Sequence, residues 1–171
     1  EYLDKKEVLL KTLQTKIFPD VFIMNKNYGK SLPYNIEIRG WIGAYKSTRN
    51  RKQEATDFPD NFISLYANEK MGEFNILPVV GQNKLNEVYV VGQLHIDIFE
   101  LSELEDMALS NRQGYKTDDI RYKTVIKYVR EELLPEIVGM RVEYAARKKE
   151  DQKRKKLDKQ KEVEERVELE D

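Results

Sequence analysis

No cysteine occurs among the 171 residues. That excludes a disulfide framework, a thiol nucleophile and any cysteine-ligated metal or iron–sulfur site. His95 is the only histidine, so a multi-histidine metal site is excluded as well. No apolar run approaches the roughly 18–20 residues that cross a bilayer, and no membrane partner is expected. Neither sign of charge dominates: 30 basic and 31 acidic residues leave a net charge of −1. A globally basic nucleic-acid binder is therefore not indicated, although a local patch remains open. There is no G-x-x-x-x-G-K-[ST] loop and no G-x-G-x-x-G, so a whole nucleotide cannot be held by a glycine-rich loop. No signal peptide is recognised and the first residue is Glu1. The chain reads as an excised piece of a larger cytoplasmic protein.

What is present is a folded body with a charged tail. Charged residues make up 36% of the chain, against about 25% in an average domain. The excess is concentrated in Arg147 to Asp171, where 19 of 25 residues are charged. The pattern divides the chain into an N-terminal helix and linker over 1–33, an α/β domain over 34–146 and a helical or disordered tail over 147–171. Asp4 caps a helix carrying Val8, Leu9, Leu10 and Leu13, which Phe18-Pro19-Asp20 ends. Asn25 to Pro33 is loop-like. Tyr34, Ile36 and Ile38 alternate with Asn35, Glu37 and Arg39, which predicts a strand with one buried face. Gly40 and Gly43 mark a bulge or a close backbone approach. Ser47 to Asp60 is the longest loop, Asn61 to Ala67 a second strand, and Asn68-Glu69-Lys70 a turn. Met71 to Val80 fits either a short helix or extended structure, and Val88 to Phe99 is the strongest strand. Thr117-Asp118-Asp119 opens a helix whose stripe is Ile120, Val125, Ile126, Val129, Leu133 and Leu134, and Pro135 breaks it or opens another. The expected class is α/β (α+β), with a mixed sheet of about four strands, helices packed on it and a charged C-terminal helical tail.

Several residues carry candidate chemistry. His95 carries the one imidazole of the chain and is a candidate general base, but no nucleophile accompanies it and a solvent-facing strand position is favoured. Trp41, Tyr34 and Tyr45 have faces that stack on a base or ligand, with core packing the favoured reading. Glu100, Glu103, Glu105 and Asp106 are oxygen donors for a divalent cation, yet they lack the spacing and glycine of a calcium loop and read as a solvated acidic turn. No metal site is expected. Leu109 to Lys116 brings Asn111, Arg112, Gln113, Gly114 and Lys116 into one loop. Its arginine either meets phosphate oxygens as a planar fork or pairs with Asp106, Asp118 or Asp119.

The order of these segments resembles the second domain, the transducer, of GHKL-type ATPases. That superfamily includes the ninety-kilodalton heat-shock chaperones, the MutL mismatch-repair proteins, DNA gyrase B and the microrchidia ATPases. The likeness is carried by G-W-I-G at Gly40–Gly43, I-S-L-Y-A-N-E-K at Ile63–Lys70, Y-V-V-G-Q-L-H-I-D-I-F at Tyr89–Phe99 and D-M-A-L-S-N-R-Q-G-Y at Asp106–Tyr115. It implies that Arg112 contacts the γ-phosphate of ATP, flanked by Asn111 and Gln113, with Lys116 as the alternative contact. ATP and Mg²⁺ would be bound mainly by an absent N-terminal ATP-binding domain and not by this fragment alone. The fragment would not be an enzyme by itself, and its parent would be an ATPase, dimeric, with a client protein or DNA as further partner.

The alternative is a nucleic-acid or protein binding module without a nucleotide role. Residues 147–161 hold nine basic and three acidic residues, a composition suited to phosphates. Residues 162–171 hold six acidic and one basic, which argues against that use. The favoured reading of the tail is a solvated helix or coiled-coil segment held by charge pairs.

Overall fold

The structure, a computed structural model, describes residues 8–47, 61–82, 85–111 and 113–170. Five strands form one open mixed sheet in the order β1-β2-β5-β3-β4. β1 (Val8–Asn25) and β2 (Lys30–Tyr45) make a long antiparallel hairpin. β5 (Val90–His95) lies antiparallel to β2 and parallel to β3 (Phe62–Ala67). β4 (Lys70–Glu73) closes the edge beside β3. The expected mixed sheet is present, with five strands instead of about four.

The additional strand corrects the N-terminal helix. Val8 to Asn25 is extended and pairs with β2 from Val8↔Tyr45 to Asn25↔Lys30. Thr12, Thr15, Ile17, Phe18, Val21, Phe22 and Ile23 are β-branched or aromatic, types that fit a pleated surface better than a helix. Pro19 does not stop a helix. It sits with Asp20 in a register shift between Phe18 and Val21, a bulge where proline's missing donor costs no ladder bond. Asp20 takes φ +54, and its N–H donates to Asn35 Oδ1 at 3.3 Å. The loop expected over 25–33 shrinks to a turn, with Gly29 at φ +68, and Lys30 is already in β2.

β2 explains most of the core. Ile36, Ile38 and Ile42 are fully buried on its inner face, each contributing roughly 1.5–3 kcal/mol of burial free energy. Gly40 is the close approach anticipated from sequence: its φ is +135, and a Cβ there would stand 2.2 Å from the Gln93 carbonyl oxygen. Asn68 and Glu69 both have positive φ, 49° and 66°, as a two-residue hairpin turn requires. Met71 to Val80 divides between β4 and a short helix, α1 (Leu77–Val80). Val88 to Phe99 is a strand only over Val90–His95; 3₁₀ turns at Leu85–Tyr89 and Asp97–Glu100 flank it.

Helix α2 (Ile120–Tyr128) starts where its cap lies, the Asp119 carboxylate accepting from Arg121 N–H at 2.8 Å. Val125, Ile126, Val129, Leu133 and Leu134 are buried as expected, whereas Ile120 is exposed. Pro135 neither breaks the helix nor opens a separate one. A π-helical turn over Val129–Leu133 adds a residue just before it and carries the chain into α3 (Leu134–Glu170). α3 runs 37 residues, a length of about 55 Å at 1.5 Å per residue. None of the described helices is long and apolar enough to cross a membrane.

Candidate nucleic-acid interface

Two arginines missed by the sequence reading fix the frame. Arg141, nearly buried on α3, donates to the carbonyl oxygens of Tyr45 at 2.9 Å and Lys46 at 3.0 Å. Its guanidinium lies 4.0 Å from the Tyr89 ring centroid, so one side chain ties α3 to the end of β2 and to the turn before β5. Leu134, Ile137 and Arg141 form the buried stripe of the helix, while Val142 is exposed. Arg121 is 1% exposed and is paired with Asp119 at 2.8 Å.

Beyond Ala146 every described side chain of α3 is exposed. Helical phase then sorts the charges. At about 100° per residue, Lys148, Lys149, Lys153, Lys155, Lys156, Lys159 and Arg166 fall within one arc of about 160°. Gln152, Gln160, Val163 and Val167 share that arc, and no acidic residue between 148 and 168 does. Glu150, Asp151, Asp158, Glu162, Glu164, Glu165 and Glu168 all lie outside it, together with Arg154 and Lys161. Up to Glu168 the objection raised by the acidic stretch falls away in three dimensions, because Glu162, Glu164, Glu165 and Glu168 lie off the basic face. The basic arc continues the phase of Leu134, Ile137 and Arg141, so it looks toward the side on which the body packs. From Lys148 to Arg166 it spans about 27 Å.

A second polar feature is a cavity of about 360 Å³ at the C-terminal end of β5, lined by Glu37, Arg39, Asn68, His95, Asp97 and Glu100 among others. Arg39 donates to Asp97 Oδ2 at 3.2 Å. Asp97 Oδ1 accepts from Asn68 N–H at 2.9 Å. That backbone hydrogen bond is the main cause holding the Asp97 carboxyl below its usual value, with Arg39 adding to it. His95 faces this cavity, partly covered, its ring stacked on Tyr66 at 5.1 Å. Among the described residues no hydroxyl or carboxylate bonds its Nδ1. Tyr34 lines the same cavity, Tyr45 is buried and Trp41 is partly buried against Tyr45, Phe62 and Val91.

The remaining candidates occupy loops. Glu103, Glu105 and Asp106 are exposed, and their segment works through its backbone: Glu103 C=O accepts from Lys26 N–H and Glu105 C=O from Arg121. Among the described residues no three His, Asp or Glu side chains group as a metal site. The loop over 109–116 is closed by backbone pairing of Ala108 with Tyr115 and by Leu109 N–H to Gly114 O at 2.9 Å. Asn111 Oδ1 accepts from Gln113 N–H at 3.1 Å, an internal turn, and Lys116 is exposed. Arg112 lies outside the described residues. Asp119, one partner considered for it, is engaged by Arg121.

One titratable cluster stands apart. Glu73 accepts from the Tyr122 hydroxyl at 3.0 Å and from Tyr115 N–H at 3.4 Å. Burial raises its carboxyl above the ordinary 4.5, more than those bonds lower it. Burial also pushes the Tyr115 phenol up to about 12. A raised carboxyl means that the folded chain binds this proton more tightly than the unfolded chain does. Stability from this group is thus greatest below 4.5 and declines as pH rises through the raised value. Glu73→Gln keeps an oxygen for the Tyr115 N–H, turns its amide toward the Tyr122 hydroxyl, whose oxygen can accept, and has no charge to desolvate. It should melt above wild type at about pH 7.5 and converge with it at about pH 4. Scanning calorimetry at the two pH values checks this; a lower midpoint for the variant at neutral pH would show that the charge itself is stabilising.

No protein-family model matches the chain, and no solved structure does so significantly. Among curated proteins it is 26% identical over 144 residues to a Herpetosiphon aurantiacus protein described as "Putative type II restriction enzyme HgiDII". The match takes in 81% of this chain and 22% of that protein, so the chain spans about a fifth of the length of the relative. This overturns the expected place among the GHKL ATPases, since the description is of a restriction enzyme and not of an ATPase, chaperone or mismatch-repair protein. The transducer role falls with it, as does the γ-phosphate contact assigned by that likeness to Arg112 or Lys116. The physical reason lies in the motifs. Gly40 answers to the nearness of β5, and Asn68-Glu69 to a two-residue turn. A mixed sheet imposes such demands whatever its ancestry. The binding-module alternative agrees better with the similarity.

Proposed function

We propose that the chain is a DNA-contacting segment of a restriction-enzyme-like protein, and that the basic face of α3 lies along the phosphate backbone. The observation that carries this reading is the acid-free arc of seven cations on an exposed helix. Lysine ammonium groups bind phosphates as point charges and release condensed counterions, without reading sequence. Its span of about 27 Å corresponds to about eight base pairs at 3.4 Å each. The similarity to a protein described as a restriction enzyme supports DNA as the polyanion. Arg141 serves this role at a distance, because it fixes the angle at which the helix leaves the body.

The test is fluorescence anisotropy with a labelled duplex across a salt series. If six lysines each neutralise one phosphate, log K should fall against log salt with a slope of about −5. Replacing Lys148, Lys149, Lys153, Lys155, Lys156 and Lys159 together with Gln should lower affinity about a hundredfold or more at low salt. The thermal midpoint should stay within about 2 °C, because these side chains pack on nothing. Replacing Glu162, Glu165 and Glu168 with Gln is the opposite-face control and should leave affinity unchanged or slightly raised. Equal affinity of the six-lysine variant and wild type would sink the proposal.

A further inference from the structure

We infer that the cavity beside His95 is a site for an unpaired nucleobase, with guanine its best occupant. The inference rests on the reading of the chain as a DNA-contacting segment, and it names what that segment takes hold of besides phosphate.

The cavity exists because two strands end at different places. β2 pairs with β5 only from Arg39↔His95 to Ala44↔Val90, whereas its pairing with β1 continues to Lys30. The overhanging part of β2 forms one wall. The 3₁₀ turn Asp97–Glu100 forms the other, and the Asn68 turn lies alongside. Buried Arg121 holds that second wall by donating to Ile98 C=O at 3.2 Å. The resulting space, about 360 Å³, falls within the roughly 300–1,000 Å³ usual for small-molecule sites.

Its lining selects against phosphate. Glu37, Asp97 and Glu100 bring three carboxylates against one guanidinium, and Arg39 already faces Asp97 at 3.2 Å and Glu69 at 3.9 Å. Among the described residues Glu37 and Glu100 form no ion pair. What the cavity offers is carboxylate acceptors, amide and guanidinium donors, and the His95 imidazole stacked on Tyr66. A neutral heteroaromatic with N–H donors suits these groups. Guanine presents N1–H and its exocyclic amine side by side, a two-donor fork matched to the two oxygens of a carboxylate. Its O6 and N7 are acceptors for arginine. Thymine has no amine to offer. A base reaches such a cavity only when it is out of the duplex stack and turned away from its phosphates.

The experiment uses the full chain and phosphate-free probes. Deoxyguanosine and thymidine, and then deoxyguanosine monophosphate, are titrated into isotope-labelled protein and followed by NMR. Deoxyguanosine should shift the signals of Arg39, Asn68 and His95 saturably. Thymidine should bind at least about tenfold more weakly, the discrimination expected for one two-donor fork. The monophosphate should bind no tighter than the nucleoside. Glu37→Gln combined with Glu100→Gln, both exposed and near-isosteric, should weaken deoxyguanosine at least about tenfold. The inference is overturned if no nucleoside shifts those signals, if thymidine equals deoxyguanosine, if the monophosphate binds tighter, or if the double variant keeps full affinity. The six-lysine variant of α3 separates the two readings. Loss of duplex affinity there with no nucleoside binding to wild type sinks the cavity alone. Nucleoside binding with undiminished duplex affinity of that variant sinks the helix alone.

Discussion

Arg121→Met should cost about 3–5 kcal/mol of folding stability, a large share of the roughly 5–15 kcal/mol that a domain possesses. The side chain is 1% exposed and fully engaged. Its Nε and one terminal nitrogen meet the two oxygens of Asp119 at 2.9 and 2.8 Å. Its terminal nitrogens also donate to Ile98 C=O at 3.2 Å and Glu105 C=O at 2.7 Å. Methionine fills similar volume but donates nothing. It would leave Asp119 as an uncompensated charge and two carbonyls without their donors. Burial alone would raise the Asp119 carboxyl, but the hydrogen bonds and charge of Arg121 outweigh it and hold the group below 3.8. The depressed value stabilises the fold above 3.8, and that contribution is lost as pH falls through the folded value. Adding Asp119→Asn to Arg121→Met should recover part of the loss, because asparagine still caps α2 and carries no charge. Urea unfolding of the two single variants and the double variant measures the coupling. A cost below about 1 kcal/mol for Arg121→Met would mean that the network is not holding these segments.

That network shows what sequence patterning conveys and what it omits. The apolar alternation of Tyr34 to Ile38 placed β2, and Asp119 announced the start of α2, because period and capping are local properties. The Arg121 pairing was not legible, since two of its acceptors are the carbonyls of Ile98 and Glu105, 23 and 16 residues earlier in the chain. Arg141 was invisible for the same reason: a cation on an apolar stripe reads as an error until Tyr45 C=O and the Tyr89 ring meet it. β1 was misread because Val8, Leu9, Leu10 and Leu13 fit a helix or a strand, and Pro19-Asp20 imitates a helix stop where the strand has a bulge. The basic face of α3 was present in the sequence but hidden by linear counting. Up to Glu168, the carboxylates that crowd the chain after Lys161 take other helical phases than the seven cations of that face. The cavity beside His95 depends on β2 outrunning β5, a matter of strand register that no local pattern encodes.

Gly40→Ala is expected to be the most damaging single substitution, at about 3–6 kcal/mol from backbone strain plus lost ladder bonds. Gly40 pairs with Leu94 in the middle of the sheet, at φ +135, a conformation that L side chains rarely adopt. A methyl group there would lie 2.2 Å from Gln93 O, 3.1 Å from Gln93 C and 3.2 Å from Leu94 Cα. All three are backbone atoms of β5, so no side chain can swing aside to make room. Either Gly40 rotates out of its conformation and breaks register with β1, where it faces Leu13, or β5 retreats from β2. The second outcome reaches the candidate site directly, because Arg39 and His95 are the neighbouring cross-strand pair. The variant should therefore lose most of its cooperative unfolding transition and, where it still folds, lose nucleoside binding in the cavity as well. The duplex affinity contributed by α3 should suffer less, because Arg141 anchors that helix to Tyr45 C=O at the opposite end of β2. Circular dichroism melts and the nucleoside titration, run side by side, test this. A Gly40→Ala chain that melts within about 1 kcal/mol of wild type and still binds the nucleoside would show that β2 and β5 can separate at this point without loss.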